Sequence, residues 1–427
     1  MKQFLSTLCC LIAIMPARAQ SGCRSTDYRL QQFRTHPSLA QTASAIESFT
    51  AEQLRNRPVI VTGGQAGATE SSRSGNAEVP PITIPVIVHI VYHTAAENIS
   101  DAQVQSQIAV LNADYQKKNA DTSGIPACYR ELAANCGFRF GLAMEDTAGR
   151  PSTGIVRKYT DTEHFSLDDG IKFSARGGDD GWDRDRYLNI WVGNLTGGIL
   201  GYSSIVGGTK ATDGVVVLYT AFGTNGAAAA PYNLGRTTTH EVGHWLNMIH
   251  TWGDDSCGTD DVADTPPQEG PDYGDPEGTI VSCGNAPYGN LYMDFMDFTD
   301  DIGMHLFTFG QRDRMRTLFA PGGFRYALLS STVPVSAPAS AGVPGAPEPP
   351  GLRVYPNPVS SIATIDLPDP GSIGGLLEVY DGLGTRVAAL RISAQVIQLD
   401  VAAWKSGVYF LRISGGRRAI AGKLLKL

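Results

Sequence analysis

The alternation of apolar and polar positions changes character along the chain, and each change marks a segment. Phe4 to Met15 form an apolar run behind Lys2, and Ala17-Arg18-Ala19 follows as a small-x-small triplet. This is the pattern of a secretory signal peptide over residues 1–19, whose apolar part is too short to anchor in a bilayer. Residues 20–81 are polar and carry Arg24, Arg29, Arg34, Arg55, Arg57 and Arg73. Residues 64–81 are rich in Gly, Ser and Ala, as expected of an exposed, cleavable join. Order is predicted from Ile82–Tyr92 (ITIPVIVHIVY), a buried strand by its β-branched density. Ser100 and Gln103 form a capping-box pair, behind which Val104, Ile108, Leu111 and Tyr115 recur at helical spacing. Tyr187–Val192 and Val215–Tyr219 read as strands, His240–His250 lie on a helix, and another helix follows Gln311. Residues 82–332 therefore read as one α/β domain. Residues 333–351 are a stiff Pro/Ala linker, and 352–427 alternate in short stretches like a small β-sandwich.

Composition narrows the function. The 42 acidic and 34 basic side chains give a net charge of −8, which argues against a nucleic-acid partner. Past the first segment no apolar run is long enough for a transmembrane segment. Of 7 cysteines, Cys9 and Cys10 leave with the signal peptide. In an oxidising compartment the neighbours Cys128 and Cys136, and Cys257 and Cys283, are expected to pair, leaving Cys23 over.

The chemistry concentrates at HEVGHWLNMIH. His240 and His244 are four apart on one helical face, so both imidazoles reach one metal ion. Glu241 beside them can act on a water whose pKa zinc lowers to roughly 7. His250 joins them only if the chain turns sharply, and Asn247, which tolerates positive φ, is where that turn is expected. From the chain's own His and Glu content, HExxH arises in roughly half a per cent of shuffles, and the third His cuts this to about one in ten thousand. Chance is therefore a poor explanation.

The elongated HExxHxxNxxH resembles the metzincin zinc endopeptidases, and HEVGHWLNMIHTWGDDSC…DVADTPPQ resembles the pappalysin family. The resemblance implies an α/β (α+β) fold with a twisted mixed sheet and a zinc helix, with His240, His244 and His250 on zinc and Glu241 as general base. It makes Met296, in DFMDFTDD, the methionine of the turn beneath the metal. Phe298 stands where the family commonly has a Tyr that steadies the oxyanion. Val215–Tyr219 resembles the edge strand that aligns substrate. Cys23, in a removable segment 20–81, resembles a cysteine switch that blocks zinc in a zymogen. Leu54-Arg55, Asn56-Arg57 and Ser72-Arg73 are candidate autolytic sites.

Residues 251–301 contain thirteen Asp/Glu and neither Lys nor Arg. Asp260, Asp261, Asp264 and the carbonyl of Thr265 offer hard oxygen ligands for structural calcium, which the family resemblance also implies. An acid in the pocket for the residue after the cleaved bond would favour Arg or Lys. The pappalysin resemblance implies that this acid lies between the two cysteines of an active-site disulfide, which makes Asp275, between Cys257 and Cys283, the candidate, with Asp272 and Glu277 as alternatives.

At the C-terminus, RVYPNP, WKSGVYFLRI and GKLLKL resemble the type IX secretion sorting domain, an Ig-like β-sandwich. This implies a Gram-negative bacterium, passage through the periplasm with the type IX machinery as partner, and release or surface attachment. The expected function is a secreted zinc endopeptidase acting on proteins or peptides. The alternative is an inactive, metal-bound surface or adhesion protein, for which Phe298 speaks.

Overall fold

The structure, a computed structural model, describes residues 22–56, 79–336 and most of 353–426. The expected signal peptide, the join at 57–78 and the linker from residue 337 lie outside the described residues. The chain divides into two compact units, Met1–Ala341 and Gly342–Leu427.

The first unit opens with a two-residue strand, β1 (Gly22–Cys23), then helices α1 (Ser25–Thr35) and α2 (Pro37–Arg55). The polar pattern of residues 20–81 gave no sign of these helices, because each presents only a narrow buried stripe: Ser25 and Tyr28 in α1, Thr50 in α2. After the join come β2 (Ile82–Tyr92), α3 (Asp101–Asp114), β3 (Phe138–Leu142), β4 (Ile155–Tyr159) and β5 (Leu188–Gly193). They are followed by β6 (Ile199–Ser203), β7 (Val215–Leu218) and α4 (Arg236–Trp245). The short pair β8 (Tyr273–Gly274) and β9 (Phe298–Thr299) and the helix α5 (Phe309–Thr317) complete the unit.

β2 is the spine. Its first half pairs with β3 and its second with β4, while β5 lies on its other side, all parallel. The order continues through β7 to β6, which runs antiparallel to β7 and carries β1 on its outer edge. β2 alternates strictly: Ile82, Ile84, Val86, Val88 and Ile90 enter the core shared with α3 and α4, and Val91 enters a cluster with Trp191, Tyr202 and Val216. Burial on both faces explains why the strand read as a continuous apolar run.

Several expectations need correction. Ser100 does cap α3, accepting from Gln103 N at 3.1 Å, but the Gln103 amide bonds the Tyr219 and Phe222 carbonyls instead of closing a capping box. The reciprocal box stands at Thr308 and Gln311, so the last helix starts at Phe309. Val215–Tyr219 is not an edge: β7 is covered by β5 and β6, and β6 in turn carries β1. Cys128 and Cys136 do not pair. Cys128 is exposed, whereas Cys136 is held in the core where its N–H donates to the Tyr115 carbonyl at the entry to β3. Nor does the linker begin at residue 333: Val333 packs with Ile87, Ala143 and Tyr187, and Ser336 N bonds the Leu142 carbonyl.

In the second unit β10 (Arg353–Tyr355), β11 (Ile362–Asp366) and β14 (Val396–Asp400) form one antiparallel sheet. The others, β12 (Leu376–Tyr380), β13 (Arg386–Arg391), β15 (Gly407–Ser414) and β16 (Ile420–Lys426), form a second, in the order β13-β12-β15-β16. Ala363, Ile365 and Leu399 of the first sheet share one apolar cluster with Leu377, Val379, Leu411 and Leu424 of the second.

Candidate metal centre

α4 carries the centre, and its C-terminus decides whether the centre closes. The helix stops at Trp245; Asn247 N donates to the His244 carbonyl and Met248 N to the Gly243 carbonyl, with Asn247 at φ 71°. This is a Schellman turn with Asn in the left-handed position, and it swings the chain back under the helix. His250 thereby returns to its partners. Its Nε2 lies 3.0 Å from His244 Nε2, which is 3.1 Å from His240 Nε2.

Each ring is aimed from behind. His240 Nδ1 bonds the Phe295 carbonyl at 2.7 Å, His244 Nδ1 the Met248 carbonyl at 2.9 Å, and His250 Nδ1 the Asp254 carboxylate at 2.5 Å. With every Nδ1 occupied outward, all three Nε2 lone pairs point to one place, as metal ligation requires. Cys23 Sγ comes within 3.4 Å of His244 Nε2. Among the described residues, Cys23, His240, His244 and His250 form the one group of three or more such donors, their ligand atoms within 4.8 Å of one another.

The electrostatics fit a divalent cation. Burial pushes the His240 imidazole down to about 3 and the Glu241 carboxyl up to about 8, and burial together with Glu241 pushes the Cys23 thiol well up. Three imidazoles, a thiol and a carboxyl share a dry space. A cation at their focus would offset the cost of ionising the thiol and the carboxyl, and the depressed imidazole is already in the neutral form a metal takes. A thiolate with three imidazoles is a donor set that suits zinc.

Glu241 is fully buried. Its Oε2 accepts from Ser25 Oγ at 2.7 Å, while Oε1 has no partner. It fits because β6 has no side chain opposite it: a Cβ on Gly201 would meet Glu241 Cγ at 2.8 Å. Beneath α4 the Met296 sulfur fills the space left by Gly243, where a Cβ would collide with it. Phe298 lies on the same floor, its ring 4.8 Å from His250 and 4.9 Å from Trp252.

The N-terminal segment lies along this centre. Gly22 and Cys23 pair parallel with Ile199 and Gly201, and Ser25 Oγ accepts from Ser203 N at 2.8 Å. Arg29 reaches the Asp254 carboxylate at 2.9 Å, and Glu47 takes two bonds from Arg314 at 2.8 Å and one from Asn247 at 3.0 Å. Sequence reading found Cys23 but missed Ser25, Arg29, Glu47, Asp254 and Gly201. The one available signal was Asp254, spaced four residues after a metal-binding His.

The acidic segment behaves differently. Asp260 is buried and accepts from Thr265 Oγ1 at 2.8 Å and Val262 N at 3.1 Å. Asp264 accepts from Thr308 Oγ1 and Gly310 N, capping α5, and Asp261 is exposed. These three carboxylates therefore do not converge. Cys257 and Cys283 form a disulfide across a separation of 26 residues. Asp275 is exposed and does not line the pocket beside His240 and Glu241; Asp297 and Asp301 do, with Tyr232, Phe298 and Leu200. Asp301 is buried, and its Oδ2 accepts from Leu234 N and Arg236 N at the start of α4. No helix among the described residues is long and apolar enough to cross a membrane.

Comparison with known proteins agrees with this geometry. The sequence profile of the pregnancy-associated plasma protein-A peptidase family matches residues 175–320, and that of a secretion system C-terminal sorting domain matches 353–426. An extracellular metalloprotease of Colletotrichum graminicola is 30% identical over 262 residues, 59% of this chain and 81% of that protein. One from Coccidioides posadasii is 32% identical, over 56% of this chain and 77% of its own length. Among solved structures, mirolysin in complex with a compound is 47% identical at a TM-score of 0.58, over 59% of this chain and 97% of that one. A promirolysin mutant of Tannerella forsythia is 42% identical at a TM-score of 0.64, over 72% and 97%. The chain belongs to the pappalysin family of secreted zinc metalloendopeptidases and ends in a secretion-system sorting domain.

Proposed function

We propose that His240, His244 and His250 hold the catalytic zinc, that Glu241 is the general base and acid, and that residues 20–81 are a propeptide whose Cys23 is the fourth ligand in a zymogen. The observation that carries this reading is the convergence of three Nε2 atoms whose Nδ1 partners all lie outside the centre. Zinc supplies an acidified water and polarises the scissile carbonyl. Glu241 takes the proton of the attacking water on its unpartnered Oε1 side and returns it to the leaving amine. Burial suits it to that task by raising its affinity for the proton. Met296 packs beneath the centre and does not ligate. In the zymogen Cys23 blocks the metal position and Ser25 occupies the general base, so nucleophile and base are silenced by neighbouring residues. The broader overlap with promirolysin than with mirolysin, 72% against 59% of this chain, supports a propeptide reading of the N-terminal segment.

The enzyme cleaves proteins or peptides, and we infer a preference for Arg or Lys after the scissile bond. The acid we assign to that pocket is Asp301, since Asp275 does not line it. Calcium in the acidic segment is best supported at Asp260, a buried carboxylate pushed up to about 7 by burial that a cation would relieve. The C-terminal unit, with seven strands among its described residues and read as an Ig-like sandwich, directs export through the periplasm of a Gram-negative bacterium by the type IX machinery. The test is mass-spectrometric mapping of cuts in a peptide library by processed enzyme with zinc and calcium, beside Glu241→Ala and Asp301→Asn. Cuts before Arg or Lys that only the wild type makes, and that lose their preference in Asp301→Asn, support the assignment. Unselective cuts remove Asp301 from it, and silence from folded, zinc-loaded protein removes the protease reading.

A further inference from the structure

One contact of the N-terminal segment lies away from the metal. Tyr28 is only 2% exposed, its ring sunk into the cluster of Phe165, Ile171, Trp191 and Tyr202 on the sheet face away from α4. Its hydroxyl donates to Asp169 Oδ2 at 2.7 Å, and its ring centroid is 5.0 Å from that of Tyr202. Behind it Lys172 is wholly buried, with Nζ 2.9 Å from Asp169 Oδ1 and 3.0 Å from the Thr212 carbonyl. That ammonium faces three rings: Tyr28 at 5.1 Å, Trp191 at 5.5 Å and Tyr202 at 4.9 Å.

Lys172, Asp169 and two of the rings belong to the body of the enzyme, whereas the third ring comes from the segment that is removed. When Tyr28 withdraws, the cation loses an aromatic face and Asp169 loses a donor, both inside an apolar enclosure. A cation wanting a π-face next to a carboxylate wanting a hydroxyl donor is a recognition element for a phenol. Tyr28 follows Ser25 by one helical turn, and the Ser25 hydroxyl bonds Glu241 in the cleft. Gly22, Cys23 and Ser25 follow β6 past Ile199, Gly201 and Ser203, so Tyr28 lies on the Ser203 side of the metal. The Asp301 pocket is bordered instead by Leu200.

We propose that the Lys172–Asp169–Tyr202 pocket is a substrate subsite selecting a tyrosine side chain on the N-terminal side of the scissile bond, and that Tyr28 occupies it in the zymogen. The proposal rests on the reading of residues 22–56 as a removable propeptide of a protease. Phenylalanine would satisfy the ammonium but not the carboxylate, and aliphatic residues neither, which sets the order Tyr, Phe, Leu, Ala.

The test gives processed enzyme peptides with Tyr, Phe, Leu or Ala at each of the four positions before the cut, and measures kcat/KM. Tyr at one of these positions is expected to raise it about tenfold over Ala, with Phe between, the scale of one hydrogen bond to a charged group. The preference should vanish in Lys172→Met and in Tyr202→Leu, the second variant serving if the first fails to fold, with circular dichroism checking both. In parallel, displacement of a labelled peptide of residues 22–35 by its unlabelled Tyr28→Phe and Tyr28→Ala forms reads the pocket without hydrolysis. Equal rates for the four side chains, or a preference surviving in folded Tyr202→Leu, overturns the subsite. If no peptide is cut, the protease reading fails first and the displacement arm decides: equal affinity of the Tyr28 and Tyr28→Ala peptides overturns the pocket as well.

Discussion

Residues 236–250 and residues 251–301 are neighbours rich in metal-binding side chains, yet they fold by opposite logics. In the first, a helix and one left-handed residue bring three imidazoles to a point, each ring fixed by a different backbone or carboxylate acceptor. In the second, the carboxylates scatter: Asp264 caps α5, Asp260 holds its own loop, Asp297 ties Gln268 to Asp272, and Asp301 caps α4. Fixed periodicity makes a spacing in sequence a distance in space. A loop closed by a disulfide does not, and there each carboxylate finds whatever backbone N–H needs an acceptor.

The sharpest break between the two regions is expected at Glu241. Glu241→Ala should lower peptide hydrolysis by about 10³-fold or more while leaving zinc content and melting temperature nearly unchanged, because it removes chemistry and no ligand. Next in size is the pair Cys257→Ser and Cys283→Ser. The chain-entropy model gives about 3.5 kcal/mol for that loop, readable as a lower urea midpoint, and the loss should leave the imidazole cluster intact in zinc-bound protein.

A third expectation is pH-dependent. Burial raises Asp260, Asp297 and Asp301 to about 7. Such groups bind more protons folded than unfolded between about 4 and 7, so calcium-free protein should lose stability as pH rises through that window. Thermal melts at pH 5 and pH 8 would read this, and calcium should remove the part of the difference that belongs to Asp260 if Asp260 is a ligand. A stability that instead rises with pH would show these carboxylates ionised and already paired.

Asp264→Ala should cost about 1 kcal/mol from the lost α5 cap, equally with calcium and with chelator. A loss seen only with calcium would make Asp264 a ligand and bring the two regions under one logic. The smallest effect belongs to Asn247→Gly. Glycine accepts φ 71° without strain, so processed enzyme should melt within about 1 kcal/mol of the wild type, whereas the zymogen loses the bond to Glu47 and should melt lower.

What was legible in the sequence follows the same division. The spine strand, the zinc helix, the turn at Asn247 and the C-terminal strands were all visible, because period and turn chemistry act locally. The pairing of Cys128 with Cys136 failed because nearness in sequence says nothing about a core that claims one thiol. Val215–Tyr219 was taken for the edge because β6, with Gly201 at its centre, lacks the β-branched density of a strand. Gly201 is glycine for the sake of Glu241, a requirement set some forty residues away. The N-terminal helices escaped notice because they bury few residues and are held by ions: Arg29 to Asp254 and Glu47 to Arg314.

Those ion pairs, with Tyr28 and Cys23, make the N-terminal segment a ligand with several anchors rather than a plug at one atom. While residues 57–78 connect it to the body, its effective concentration is on the order of millimolar. Cutting the connection breaks none of the anchors; it only turns an intramolecular competitor into one that must be found again from solution. On the propeptide reading proposed above, nicking and activation are therefore separate events. A nicked enzyme held in a confined compartment stays inhibited, and the same molecule released into a large volume becomes active by dilution alone.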